Sequence, residues 1–120
     1  MRIELPFPPP ALNPNRKAGK HWAATHAVKA GYRHDCWVLS VQAARGYVAP
    51  EGDIPLRVTF VQPDKRRRDR DNLLASCKAA LDSVAAALKV DDSRFEPVTI
   101  SRTFGAKPGM VVVEVAEDLK

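Results

Sequence analysis

Residues 54–88 read IPLRVTFVQPDKRRRDRDNLLASCKAALDSVAAAL and pass through three textures. In the first nine residues Leu56, Val58 and Phe60 alternate with less apolar positions. That is the period-two signature of a strand with one buried face. The next eight, PDKRRRDR at 63–70, contain no apolar side chain except the proline ring and read as a loop. From Asp71 the period lengthens. Leu73, Cys77, Leu81, Val84 and Leu88 form one helical stripe, and Ala75, Ala79, Ala80 and Ala85–Ala87 favour helix locally. The spacing predicts a single helix over 71–88.

Working outward, residues 2–5 (RIEL) alternate polar and apolar and suggest a short strand closed by Pro6. Residues 6–20 carry five prolines and two asparagines and read as a rigid loop with a basic end at Arg16, Lys17 and Lys20. Between Thr25 and Arg45, Val28, Tyr32, Cys36, Leu39 and Ala43 mark one helical face, with Trp37, Val41 and Ala44 as a second apolar strip. A helix apolar on more than one side points to self-association. Residues 46–53 form a turn region and 89–94 (KVDDSR) a polar loop. Residues 97–104 and 110–115 read as two strands of a hairpin joined by GAKPG. The expectation is a single α+β domain over 1–120, with a small mixed sheet of about four strands and two main helices packed on it.

The chain has 120 residues, 45% hydrophobic and 28% charged, as in ordinary globular domains. Nineteen Lys and Arg against fourteen Asp and Glu leave a net charge of +5, which favours a polyanionic partner such as nucleic acid. Cys36 and Cys77 fall on helical apolar positions and read as buried free thiols of a reducing cytoplasm; no Cys/His spacing suggests zinc. The start MRIELPFPPP lacks the long apolar run of a signal peptide, and nothing approaches the ~20 apolar residues of a membrane helix. The expectation is a cytoplasmic protein with no membrane partner and no small-molecule cofactor.

The chemistry is concentrated in KRRRDRDN, residues 65–72. Lys65, Arg66, Arg67, Arg68 and Arg70 surround Asp69 and Asp71. In an extended segment, residues two apart share a face. Two carboxylates held together repel, and a hard divalent cation such as Mg²⁺ supplies the missing charge through oxygen ligands. Arginines suit phosphate contact and offset the repulsion that bare carboxylates would exert on a nucleic acid. The combination fits a phosphodiesterase better than a simple grip on DNA. The plainer alternative is that Asp69 or Asp71 caps the following helix, where free N–H groups meet a carboxylate.

A further acidic pair, Asp91–Asp92, follows the helix. A straight helix of about 18 residues is about 27 Å long, which would hold Asp71 and Asp92 apart. Either the chain doubles back after Leu88, or the helix is shorter, or two copies of the helix pair antiparallel and bring each Asp71 to the partner's Asp92.

The run RRRDRDNL, the helix segment KAALD, the later VDDSRF and the opening LPFPPPALNPN resemble the RusA family of Holliday junction resolvases, notably its phage-borne members, over nearly the whole chain. The resemblance implies an intertwined homodimer in a bacterial cell that nicks four-way junction DNA symmetrically with Mg²⁺, Mn²⁺ being the substitute. Its three essential aspartates fall on Asp69, Asp71 and Asp92, and the arginine before the first falls on Arg68. The founding member carries a functional lysine one turn after the second aspartate. Here that position is Ala75, and the nearest basic residue is Lys78, which either takes over the role or pairs with Asp82. The expected catalytic set is therefore Asp69, Asp71, Asp92 and Lys78. The expected DNA surface is Arg16, Lys17, Lys20, Lys65, Arg66, Arg67, Arg68 and Arg70.

His21, His26 and His34 are the alternative general bases, but they lie far from the aspartates in sequence and read as structural, except His21, which with Arg16, Lys17 and Lys20 adds to a DNA-facing surface. Trp22 reads as core, with stacking on an unpaired base as the alternative, and Arg102 and Lys107 read as solvated charges on the late hairpin, with extension of the basic surface as the alternative. The rival readings are a non-catalytic, structure-selective DNA-binding protein and a small RNA-binding protein; the latter lacks an aromatic-rich strand motif.

Overall fold

Val111, Val112 and Val113 are all buried, a continuous run that suits an interior strand better than the edge of a hairpin. The computed structural model describes residues 1–12, 22–65, 68, 70–105 and 108–116, without the side chains of 11, 22–24, 70 and 71. Its strands are β1 (Arg2–Pro6), β2 (Ile54–Gln62), β3 (Phe95–Phe104) and β4 (Met110–Val115). They lie in the order β1-β4-β2-β3. β4 runs antiparallel to both β1 and β2, whereas β2 and β3 are parallel. The sheet is mixed, as the α+β reading requires.

The expected hairpin of 97–104 with 110–115 is not formed. β3 is delivered to the far side of β2 by a helical crossover, the connection that parallel strands need. β4 then crosses back to fill the slot between β1 and β2. The ladder slips between Ile54↔Phe95 and Leu56↔Val98; Pro97, which has no N–H to give, sits at that irregularity.

The crossover is not the single predicted helix. It consists of α2 (Arg70–Ser76) and α3 (Lys78–Leu88), interrupted at Cys77, whose ψ of 10° leaves the helical region. The Cys77 N–H is shared between the carbonyls of Leu73 and Leu74, both at 3.1 Å. Ser76 adds to the bend by donating its hydroxyl to the Asn72 carbonyl at 2.8 Å, a back-bond that competes with the helical ladder. With α1 (Trp22–Ala43) the described residues form three α-helices, where two main ones were expected.

The core lies between the helices and one face of the sheet. Ile3 and Leu5 of β1, Ile54 to Phe60 at alternate positions of β2, and Val111, Val113 and Val115 of β4 meet Tyr32, Cys36, Cys77 and Val84. Both cysteines are free and buried, as expected. The opposite face is mostly solvated apart from buried Val112, with Arg57 and Glu114 3.9 Å apart across β2 and β4.

On α1 the buried row is Tyr32, Cys36 and Ser40. Val28, Leu39 and Ala43, expected on that face, are exposed, because the helix touches its neighbours along an i, i+4 ridge rather than a broad stripe. Tyr32 donates to the Pro6 carbonyl at 2.7 Å and so ties α1 to the end of β1. Trp37 and Val41 of the second strip are exposed as well, at 43% and 41%. Among the described residues, no helix is long and apolar enough to cross a membrane.

Candidate functional site

Parallel pairing of β3 with β2 brings the chain back along α3, and this settles how Asp92 stands relative to the crossover helix. Asp92 opens a 3₁₀ turn (Asp92–Arg94) immediately before β3. It lines a groove of about 420 Å³ together with Leu74 and Ala75 of α2, Lys78 and Asp82 of α3, and Val98 of β3. The chain doubles back, so Asp92 approaches the α2–α3 junction within one protomer. Asp71 belongs to α2, one helical turn before groove-lining Ala75.

Local contacts hold the acidic turn in place. Arg94 donates through Nε to the Gly52 carbonyl at 3.0 Å and through its guanidinium to the Pro50 carbonyl, clamping the turn to the 46–53 segment. Asp91 accepts a 2.7 Å bond from the Ser93 hydroxyl, which holds its carboxyl below its ordinary value. The two acids of the pair thus differ: Asp91 is bound into the turn, and Asp92 faces the groove.

Lys78, the first residue of α3, is exposed on the same groove and forms no ion pair among the described residues. The expected partner Asp82 lies instead 3.7 Å from Arg33 of α1. Lys78 and Ala75 line one groove even though Cys77 interrupts the helix between them.

The loop leading into α2 is pinned from several sides. Arg68 meets the Asp64 carboxylate at 2.9 Å and packs over the Phe7 ring at 5.6 Å. Its carbonyl accepts a hydrogen bond from the Arg102 guanidinium. Lys65 sits 5.4 Å above the Phe104 ring. Two of the five loop cations therefore have internal partners. Arg66, Arg67 and Asp69 lie outside the described residues, as do Arg16, Lys17, Lys20, His21 and Lys107. The side chains of Arg70, Asp71 and Trp22 do also.

Sequence reasoning missed the roles of Arg94 and Arg102. Arg102 was read as solvated charge on a hairpin. Parallel register sets it opposite Phe60, on the helix-covered face, within reach of the loop. No local signal announces that, since the same residues in an antiparallel hairpin would face elsewhere.

No family model matches the chain. A protein of Xylella fastidiosa (strain Temecula1), described as an uncharacterized protein, is 30% identical over 115 residues, spanning 94% of this chain and 74% of that protein. The chain belongs to the same family as this Xylella protein.

Among the described residues no group of three or more His, Cys, Asp or Glu is placed to hold a metal ion. Asp92 is the one predicted ligand whose side chain is described. Its carboxylate oxygens are the donors a hard cation takes, and Mg²⁺ needs only one or two protein carboxylates beside its waters. Chemically, the groove offers Asp92 and the Lys78 ammonium facing one space, with Asp82 at its side. That pairing suits an anion bridging the two through a cation, with Lys78 reaching the anion directly.

Proposed function

We propose that this chain is a Mg²⁺-dependent endodeoxyribonuclease that resolves four-way DNA junctions by paired symmetric nicks. The observation that carries the reading is the single groove faced by Asp92 and Lys78 at the foot of α2, the helix that begins with Arg70 and Asp71. Asp69, Asp71 and Asp92 would hold the cation, with Mn²⁺ as substitute. The chemistry such a cation supplies is Lewis-acid activation of a phosphodiester and of water. Lys78 would stabilise the charge that builds on the phosphate during attack. The cations of the loop and of the N-terminal segment would hold the flanking backbone.

Two symmetric cuts call for two sites, and each chain carries one aspartate set. A C2 homodimer supplies the match. Exposed Val28 and Leu39 of α1 would serve self-association, and the return of Asp92 toward α2 within one protomer supplies that groove with its own Asp92.

A labelled four-way junction, incubated with and without Mg²⁺, tests the reading. Paired nicks should appear only with the metal and disappear in Asp92→Asn and Asp71→Asn, both of which should retain junction affinity. A non-catalytic binding module would show affinity and no nicking in any of these proteins. Binding should fall roughly 10³-fold between 50 and 200 mM salt if about six phosphates are engaged.

A further inference from the structure

The groove described above occupies one side of α3. On its other side, between α3 and α1, lies a second groove of about 690 Å³, and Asp82 lines both. Its volume falls in the range of small-ligand sites. Ala30, Ser83 and Ala86 are among its lining residues and are small enough for a flat ring to lie against them. The seam between the helices is fixed, because the Ser83 hydroxyl lies 2.8 Å from the Arg33 carbonyl and 2.9 Å from the Ala79 carbonyl.

Trp37 and His34 supply an aromatic wall, their rings 6.4 Å apart and tilted by 30°. Trp37 is 43% exposed, unusual for a side chain with so much apolar surface to hide. Lys29 and Arg33 supply cations. Among the described residues, Asp82 is the one acid lining the groove, and it lies 3.7 Å from Arg33, too far for a tight pair.

We propose that this groove binds a single-stranded DNA segment, with one base stacked on Trp37 and the adjoining phosphates on Lys29 and Arg33. Aromatic faces take any base, and cations at phosphate reach track the backbone; both elements are present in one concave, small-residue surface. The identity of the polynucleotide rests on the nuclease reading. On that reading, a strand crossing α3 past Asp82 would pass from the Asp92–Lys78 groove directly into this one.

The test uses the full chain carrying Trp22→Phe, which leaves Trp37 as its sole tryptophan, titrated with an oligodeoxythymidylate. If that variant does not fold, the difference in emission between wild type and Trp37→Phe gives the same readout. Emission should be quenched saturably. Trp37→Ala, read by the anisotropy of a fluorescein-labelled oligodeoxythymidylate, should weaken binding roughly ten-fold, the loss of one base stack. Lys29→Ala/Arg33→Ala should lower the slope of log K against log salt by about 1.4, at about 0.7 per phosphate contact. Unquenched emission, an unchanged slope, or emission that follows protein dilution instead of oligonucleotide would overturn the proposal, the last by showing a second copy on this face. Junction nicking by wild type is read separately. Quenching without nicking would remove the nuclease reading and keep the groove; nicking beside a silent Trp37 would do the reverse.

Discussion

Gly109→Ala is expected to destabilise the protein well beyond an ordinary glycine substitution. Gly109 is buried at the start of β4 with φ of +91°. A methyl there would stand 3.0 Å from Pro63 Cδ, 3.1 Å from the Val61 carbonyl oxygen and 3.3 Å from Phe7 Cγ. The left-handed backbone alone costs an L-residue about 1–2 kcal/mol. The crowding falls on a proline ring and a strand carbonyl, neither of which swings aside, and adds about 1–2 kcal/mol. Reduced freedom of the unfolded chain returns about 0.5 kcal/mol. The net loss is about 1.5–3.5 kcal/mol, or roughly 6–14 °C in Tm for a domain of this size.

Gly46→Ala is the internal control, with φ of +81° and nothing within 4 Å of the added carbon. It should cost only the backbone term, about 1 kcal/mol or roughly 4 °C. Thermal melts followed by circular dichroism, with urea titrations alongside, measure both. Equal losses in the two variants would refute the crowding argument, and an unchanged Gly109→Ala protein would refute the conformational one too. The same contacts reach the candidate site, because Phe7 carries the Arg68 guanidinium and Pro63 opens the loop before α2.

Other outcomes follow from the same geometry. On the proposed nuclease reading, Lys78→Ala should lower kcat for junction nicking roughly 100-fold with little change in KM, and Ala75→Lys on that background should recover part of the loss; single-turnover cleavage reads both. On the same reading, Asp91→Asn, whose parent carboxylate is bound to Ser93, should keep nicking within a few-fold of wild type, whereas Asp92→Asn should abolish it. Burial pushes the thiol of Cys36 up to about 11 and that of Cys77 up to about 12. Their contribution to stability is complete below the unfolded thiol pKa of about 8.5 and is lost as pH rises toward those folded values. Urea unfolding at stepped alkaline pH should show that decline, and alkylation by iodoacetamide should proceed only through unfolding. Tyr32→Phe, which removes the bond to the Pro6 carbonyl, should cost about 1–2 kcal/mol in the same titrations.

Much of the architecture was legible because it is written in local periodicity. The alternation at Leu56, Val58 and Phe60 marked β2, the alanine-rich stripe marked the crossover helices, and the RIEL alternation marked β1. Residue chemistry likewise marked the acidic pair, and Cys36 and Cys77 read as buried thiols from their helical positions alone. The break at Cys77 was not legible. Ala75 before it and Lys78, Ala79 and Ala80 after it are good helix formers, and the bend depends on Ser76 bonding back to Asn72. The buried row of α1 was half legible, since Tyr32 and Cys36 are hydrophobic but buried Ser40 carries no apolar signal.

By itself the sequence determined which segments become strands and helices and which side chains are available for chemistry, because those choices follow from backbone period and residue type. Only tertiary structure decided that β3 lies parallel to β2 while β4 fills the centre of the sheet. That pairing brings Asp92 into one groove with Ala75 and Lys78, turns Arg102 toward the loop, and leaves Trp37 exposed beside Lys29 and Arg33. Strand order depends on contacts between residues far apart in the chain, and local spacing carries no record of them.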